Sequence, residues 1–371
     1  MTHPAVRDLF HTLSRDPAFQ DLAAKLVRRD AGPFSLGGLT PTAKALYLVL
    51  LWQATERPML VVSDNNQHAE ALAELVGTFF DLLISRADTG RPQMVPALDV
   101  LPGQSVAPHK EIVEQRAIGL WRMTSASVPL TIVPAPSLLL RTQAPDYYRR
   151  LTLTLTVGEE VSLDTLEDHL RSIGYERREP VEMVGEYSIR GGILDVFPAE
   201  STRPLRIEFF GDEIESIRRF EVETQRSVMK ISEAQVLPLS EPVQMEPEHS
   251  LLDLAPGALV VIDEPEQVTL AAERLWKRLD QHPDSAQYFW HWEELRPKLC
   301  VMLRELDLDE AAHISSRPSM AFHGSMQVAV AEAKTMVEQG YRVAFFAPSN
   351  GELERLADIL REYSVPFSLG L

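Results

Sequence analysis

Apolar positions recur along this chain with two periods, and the changes of period divide it. Residues 5–29 set Val6, Phe10, Leu13, Phe19, Leu22 and Leu26 on one face at helical spacing, with a break near Asp16-Pro17. After Pro33, a strand-like Phe34-Ser35-Leu36 leads through Gly37-Gly38 into a helical run over 41–53. Met59-Leu60-Val61-Val62-Ser63 is a continuous apolar strand, and residues 66–83 carry the next helix. Two more candidate strands, 95–101 and 130–133, flank a helix within 106–123 whose Val113, Leu120 and Trp121 share a face. Residues 258–263 form a further buried strand, with helices around it up to about residue 303. Beyond the weakly patterned 305–323 the alternation restarts as helix to 338, strand over 342–348 and helix over 351–363. Buried strands alternating with helices predict an α/β lobe whose parallel sheet is covered on both faces.

Between 145 and about 237 the period shifts towards two. Residues 151–157 alternate, and 162–174 read as a capped helix with Asp164 or Glu167 near its start and Gly174 as its stop. Residues 187–197 alternate around Gly191-Gly192. In 205–210, Leu205, Ile207 and Phe209 take one face while Arg206 and Glu208 take the other, and Gly211-Asp212 supplies a turn before Ile214. These are antiparallel hairpins in a compact α+β insertion, followed by a proline-rich linker with Pro238, Pro242, Pro247 and Pro256. The expected organisation is a lobe made from 1–140 and 241–324, an inserted domain at 141–240, and the start of a further α/β domain at 325–371.

Composition narrows the function classes. At 45% hydrophobic and 24% charged, the 371 residues are globular, with room for two or three domains. The formal charge of −18 and the absence of any basic run remove the electrostatic footprint for nucleic acid. Cys300, the single cysteine, excludes an internal disulfide and suits a reducing compartment as a buried thiol. Neither a basic leader with an apolar core nor an apolar run of about 18 residues is present, so a cytoplasmic protein without membrane contact is expected. His109 has no nucleophile or second histidine at useful spacing and reads as a loop or cap residue.

Strand, glycine turn and helix at 34–53 are the skeleton of a phosphate-binding loop, so its chemistry can be checked position by position. Gly38 fits the first glycine and Lys44 the lysine. Ala43 replaces the second glycine, where the backbone must approach phosphate, and Ala45 replaces the hydroxyl residue that holds magnesium. Pro41 removes one amide donor. Asp263-Glu264, at a strand end, resembles what remains of the acidic motif of such enzymes. The combination points to a degenerate P-loop, RecA-like fold with no catalytic residue, no metal site and no cofactor in this stretch.

One segment carries a resemblance of a different order. Glu186-Tyr187-Ser188-Ile189-Arg190-Gly191-Gly192-Ile193-Leu194-Asp195-Val196-Phe197-Pro198, followed by Arg206-Ile207-Glu208-Phe209-Phe210-Gly211-Asp212-Glu213-Ile214-Glu215-Ser216, resembles the signature shared by UvrB helicases and transcription-repair coupling factors. Pro108-His109 leading to Arg116 also resembles the latter family. UvrB keeps an intact P-loop and an aromatic hairpin, whereas residues 95–125 here hold no tyrosine and only Trp121. The chain therefore resembles the N-terminal UvrB-homology module of transcription-repair coupling factors (Mfd). That resemblance implies a docking domain for UvrA at 141–240. It also implies ATP and magnesium, DNA and RNA polymerase engaged by regions beyond residue 371. Carried over residue by residue, it marks Arg177 and Arg190 as UvrA contacts and one of Phe197, Phe209 and Phe210 as the apolar anchor, with Phe197 better placed for a core. The alternatives are a UvrB-like ATP-dependent helicase, opposed by Ala43 and Ala45, and a damaged-DNA-binding protein. The latter is opposed by Glu208, Asp212, Glu213, Glu215, Glu221 and Glu223.

Overall fold

The computed structural model describes residues 4–84, 90–125, 128–242, 247–295, 300–306, 312–319, 322, 325–347 and 349–369, without the side chains of 4–7, so Val6 lies outside the described side chains. In chain order the elements begin with α1 (Pro4–Leu13), α2 (Pro17–Arg28), β1 (Phe34–Gly37), α3 (Pro41–Thr55), β2 (Met59–Ser63) and α4 (Asn66–Leu83). Next come β3 (Gln93–Met94), α5 (Lys110–Ser125), β4 (Leu130–Pro134), α6 (Ala135–Leu139), α7 (Pro145–Arg149), β5 (Leu153–Thr156) and α8 (Leu163–Ser172). The hairpin region holds β6 (Glu176–Arg177), β7 (Glu186–Arg190), β8 (Ile193–Val196), β9 (Leu205–Phe210), β10 (Glu213–Phe220), β11 (Ser227–Ile231) and β12 (Glu233–Val236). The remainder is α9 (Leu251–Leu254), β13 (Leu259–Asp263), α10 (Pro265–Leu279), α11 (Pro283–Ala286), α12 (Trp292–Leu295), β14 (Cys300–Leu303), β15 (Ala312–His313), α13 (Met326–Glu338) and α14 (Asn350–Glu362).

The chain folds as two compact units, a larger one of Glu56–Glu74 with Asp88–Met302 and a smaller one of Met1–Thr55, Leu75–Ala87 and Leu303–Leu371. In the larger unit, β13, β2, β4 and β3 lie side by side and parallel, with Leu259 opposite Met59 and Met59 opposite Leu130. Because β2, β3 and β4 precede the insertion and β13 follows it, the parallel sheet is built from two chain segments, as the alternation predicts. Every residue of β2 and β4 is buried, which is why these strands read as unbroken apolar runs.

The inserted region forms a six-stranded sheet ordered β11-β10-β9-β8-β7-β6, antiparallel throughout except for the β6–β7 pair. α8 starts on Ser162, whose hydroxyl accepts from the Thr165 N–H, and the chain leaves it through Gly174 at φ +96°. Leu166 and Leu170 of α8 share one buried cluster with Leu194, Ile207, Ile214 and Ile217 of the sheet.

Two expected strands are corrected. Residues 95–101 are not a strand; β3 stops at Met94. Val95 still donates to Ile132 O at 2.9 Å, but Pro96 has no N–H to continue the ladder, and the Asn66 side-chain amide takes both backbone groups of Ala97 at 2.8 and 3.0 Å. Residues 342–347 also form no strand, because none of the described strands pairs with them, and Pro348 lies outside the described residues. In the smaller unit, β1 pairs in parallel with β15, Leu36 opposite Ala312, and α13 and α14 enclose a small core of Val330, Leu356, Leu360 and Val365.

Candidate docking surface

Cross-strand register decides which side chains of the six-stranded sheet stand together. Ser188, Asp195, Arg206, Arg218 and Lys230 form one row of opposed residues, and Arg190, Ile193 and Glu208 form the next. Residues directly opposite one another project to the same side, so both rows share one face. The other face carries Tyr187, Leu194, Ile207 and Phe209 and is the one α8 covers; Tyr187 Oη donates to Glu167 Oε1 at 3.0 Å.

The open face is organised by one buried carboxylate. The Asp195 side chain is only 2% exposed, and Ser188 and Ser216 on the same face are buried with it. Arg206 donates to it in a fork, Nε to Oδ1 at 2.8 Å and Nη2 to Oδ2 at 2.8 Å, and its Nη1 donates to Gln225 O at 3.1 Å. The guanidinium also lies 4.6 Å from the centre of the Phe220 ring. The hydrogen bond to Asp195 raises the Arg206 pKa above its ordinary value. Arg190 donates Nη2 to Asp195 Oδ2 at 3.1 Å, comes within 3.7 Å of Glu179 Oε1, and leaves 48% of its side chain exposed. Beside this group, Glu208 Oε2 accepts from Ser216 Oγ at 2.7 Å and pairs with Arg218 at 3.1 Å.

Arg177 lies at the same corner of the sheet but turns towards α8. Its Nη1 donates to Glu167 Oε1 at 3.1 Å and its Nη2 to Ile189 O at 3.3 Å, one residue before Arg190. Glu167 also receives Arg171 at 2.7 Å, and the hydrogen bond from Arg171 is the main reason its pKa lies below the usual carboxylate value. The three phenylalanines separate cleanly. Phe209 is buried on the helix-covered face, and Phe197 is buried in a small cluster with Val181 and Phe220. Phe210 is 79% exposed. Sequence reasoning passed over Asp195 and Arg206; the available signal was an aspartate between the core positions Leu194 and Val196 in an otherwise apolar strand.

In the smaller unit the loop between β1 and α3 is held by partners distant in sequence. Gly38 stands at φ +78°, and a Cβ there would fall 2.5 Å from His313 Cε1 and 2.5 Å from Ile314 O. The Leu39 N–H donates to Arg304 O at 3.1 Å, and the Thr40 N–H donates to Ser316 Oγ at 2.8 Å, while that hydroxyl donates to Gly38 O at 2.8 Å. Ala43 N–H reaches Thr40 Oγ1 at 3.3 Å, the bond an N-cap makes. Lys44 is 4% exposed and Ala45 fully buried. Asp263 closes β13 in the larger unit, and Glu264, at φ +50°, precedes α10. No group of three or more potential metal ligands occurs among the described residues, and none of their helices is long and apolar enough to cross a membrane. Cys300 is buried, as expected.

Residues 153–241 match the family described as the UvrB interaction domain. The chain is 28% identical over 245 residues to a transcription-repair-coupling factor of Haemophilus influenzae, covering 61% of this chain and 21% of the relative. It is 22% identical over 410 residues to that of Bacillus subtilis, covering 89% and 34%, and 30% identical over 207 residues to that of Escherichia coli, covering 56% and 17%. It thus spans about a third or less of the length of these relatives. Sheet, signature and relatives agree: residues 153–241 match the UvrB interaction domain, and the chain is similar to transcription-repair-coupling factors over 56–89% of its length.

Proposed function

We propose that this chain recruits UvrA in transcription-coupled excision repair, docking it on the open face of the six-stranded sheet. Arg190 and Phe210 are the central contacts, and Arg177 lies at the edge. The observation that carries this reading is the match to the UvrB interaction domain at 153–241, together with the exposed Phe210 and half-exposed Arg190 on the face opposite the α8-covered one. Arginine and aromatic side chains carry most of the energy of protein interfaces, and truncating a central one costs about 2 kcal/mol or more, about thirtyfold in affinity. Capture of UvrA by the immobilised 371-residue chain tests this. Arg190→Ala and Phe210→Ser are each expected to weaken capture by that factor with little change in melting temperature. Undiminished capture by the Arg177→Ala, Arg190→Ala double variant would remove the arginines from the site.

The nucleotide site of this stretch is inactive in our reading. Ala43 and Ala45 lack the required chemistry, and the amides of Leu39 and Thr40 already have acceptors in Arg304 and Ser316. Calorimetric titration with magnesium and ATP is expected to give no heat of binding, and turnover abolished by Lys44→Ala would overturn this. ATP-driven DNA translocation and contacts with RNA polymerase and DNA, all in the cytoplasm, belong to the rest of the protein in this scheme.

A further inference from the structure

We infer that Asp195 is a positioning residue for Arg190: a carboxylate buried on the open face of the sheet that fixes where the exposed guanidinium stands before a partner arrives. The inference rests on the docking role proposed above. It starts from a residue the fold itself does not call for. Leu194 and Val196 supply the core contribution of β8, whereas Asp195 points the other way and is nevertheless buried. A buried carboxylate is costly to desolvate unless cations and donors surround it, so its presence asks for a reason beyond packing.

The two arginines share this carboxylate unequally. Arg206 takes both oxygens at 2.8 Å, places a third donor on Gln225 O and lies over Phe220, with its side chain only 17% exposed. It is committed within the domain and holds Asp195 in place. Arg190 makes one bond to Oδ2 at 3.1 Å and a looser approach to Glu179 at 3.7 Å, and remains 48% exposed. A guanidinium has five N–H donors, so most of those on Arg190 remain available. One fixed bond is enough to orient a long side chain that would otherwise lose its rotamer freedom on binding, and such preorganisation strengthens association without adding a contact. The row geometry makes the arrangement specific. Asp195 lies opposite Ser188, two residues from Arg190 on the adjacent strand, so the two are diagonal neighbours on one face and within reach of each other.

A double-mutant cycle tests this on the whole chain. Affinity for UvrA is measured for the unmodified chain, Arg190→Ala, Asp195→Asn and the double variant. Arg190→Ala is expected to weaken binding by about thirtyfold. Asp195→Asn, which keeps the shape and removes the charge, is expected to weaken it by roughly three- to tenfold. The double variant should bind no more weakly than Arg190→Ala alone, because Asp195 acts only through Arg190. A merely structural Asp195 would instead make the two losses multiply. Arg190→Lys, an exposed change that spares the fold, keeps the charge without the directed fork and is expected to lose nearly as much as Arg190→Ala; this arm carries the test if Asp195→Asn unfolds. Full affinity in Asp195→Asn, multiplied losses in the double variant, or full affinity in Arg190→Lys overturns the inference while the docking role stands. An unmodified chain that fails to capture UvrA overturns both.

Discussion

Gly38 concentrates at one position how closely this loop is packed against the chain around His313. Its φ of +78° excludes a side chain at little cost only for glycine, and the ring of His313 and the carbonyl of Ile314 occupy the space a Cβ would need. Gly38→Ala is therefore expected to destabilise the smaller unit by about 2 kcal/mol or more, read by hydrogen exchange across β1 and α3. Exchange rates unchanged from the parent would mean that the loop relaxes around the new methyl group. Glu167 gives a second test at this scale, through pH. Its folded-state pKa is lowered, chiefly by the hydrogen bond from Arg171, so its stabilising effect is fully present above the ordinary carboxylate pKa and is lost as pH falls through the depressed value. Glu167→Gln should lower the melting temperature near neutrality by roughly 2–4 °C, with the gap closing in acid below the usual carboxylate range. A gap that stays constant with pH would exclude the ionised form as the stabilising species. The losses at Ala43 and Ala45 are legible on the sequence alone, because the chemistry of a phosphate loop is defined by spacing. That Ser316 closes the loop is not legible, because it lies 276 residues from Thr40.

At the scale of single strands, period two makes a quantitative demand on β9. Phe209 and Phe210 are neighbours in sequence, yet one is buried against the helix-covered core and the other stands in solvent. Phe209→Ala is expected to cost about 3–5 kcal/mol in denaturant unfolding, and Phe210→Ala less than about 0.5 kcal/mol. Equal costs would mean that the register of β9 has been assigned one residue out. Alternation announced that the two rings part company, and the structure assigned each to its side. Alternation failed at 95–101, where apolar residues continue but Pro96 and the Asn66 amide end the ladder. Hydrophobic pattern reports burial, and burial alone does not make a strand.

Across the larger unit, the parallel sheet and the inserted sheet share one apolar core. Leu60 and Val62 of β2 belong to the same buried cluster as Leu194 and Ile207 of the hairpins. A continuous core predicts cooperative opening: in native-state hydrogen exchange under increasing denaturant, β2 and β13 should lose protection together with β8 and β9. Opening free energies that differ by more than about 1 kcal/mol would make the inserted region an independent domain.

The sequence by itself determined the two periods and hence the α/β lobe with an antiparallel insertion, the departure of Ala43 and Ala45 from the phosphate-loop pattern, and the resemblance carried by residues 186–216. All three rest on side-chain identity at short spacing, which the chain carries before it folds. Only the tertiary structure decided that Phe210 rather than Phe197 or Phe209 is free, and that Asp195 is shared between Arg190 and Arg206. Those outcomes depend on cross-strand register and on partners distant in sequence, and a slip of one residue would exchange the buried and open faces of a strand.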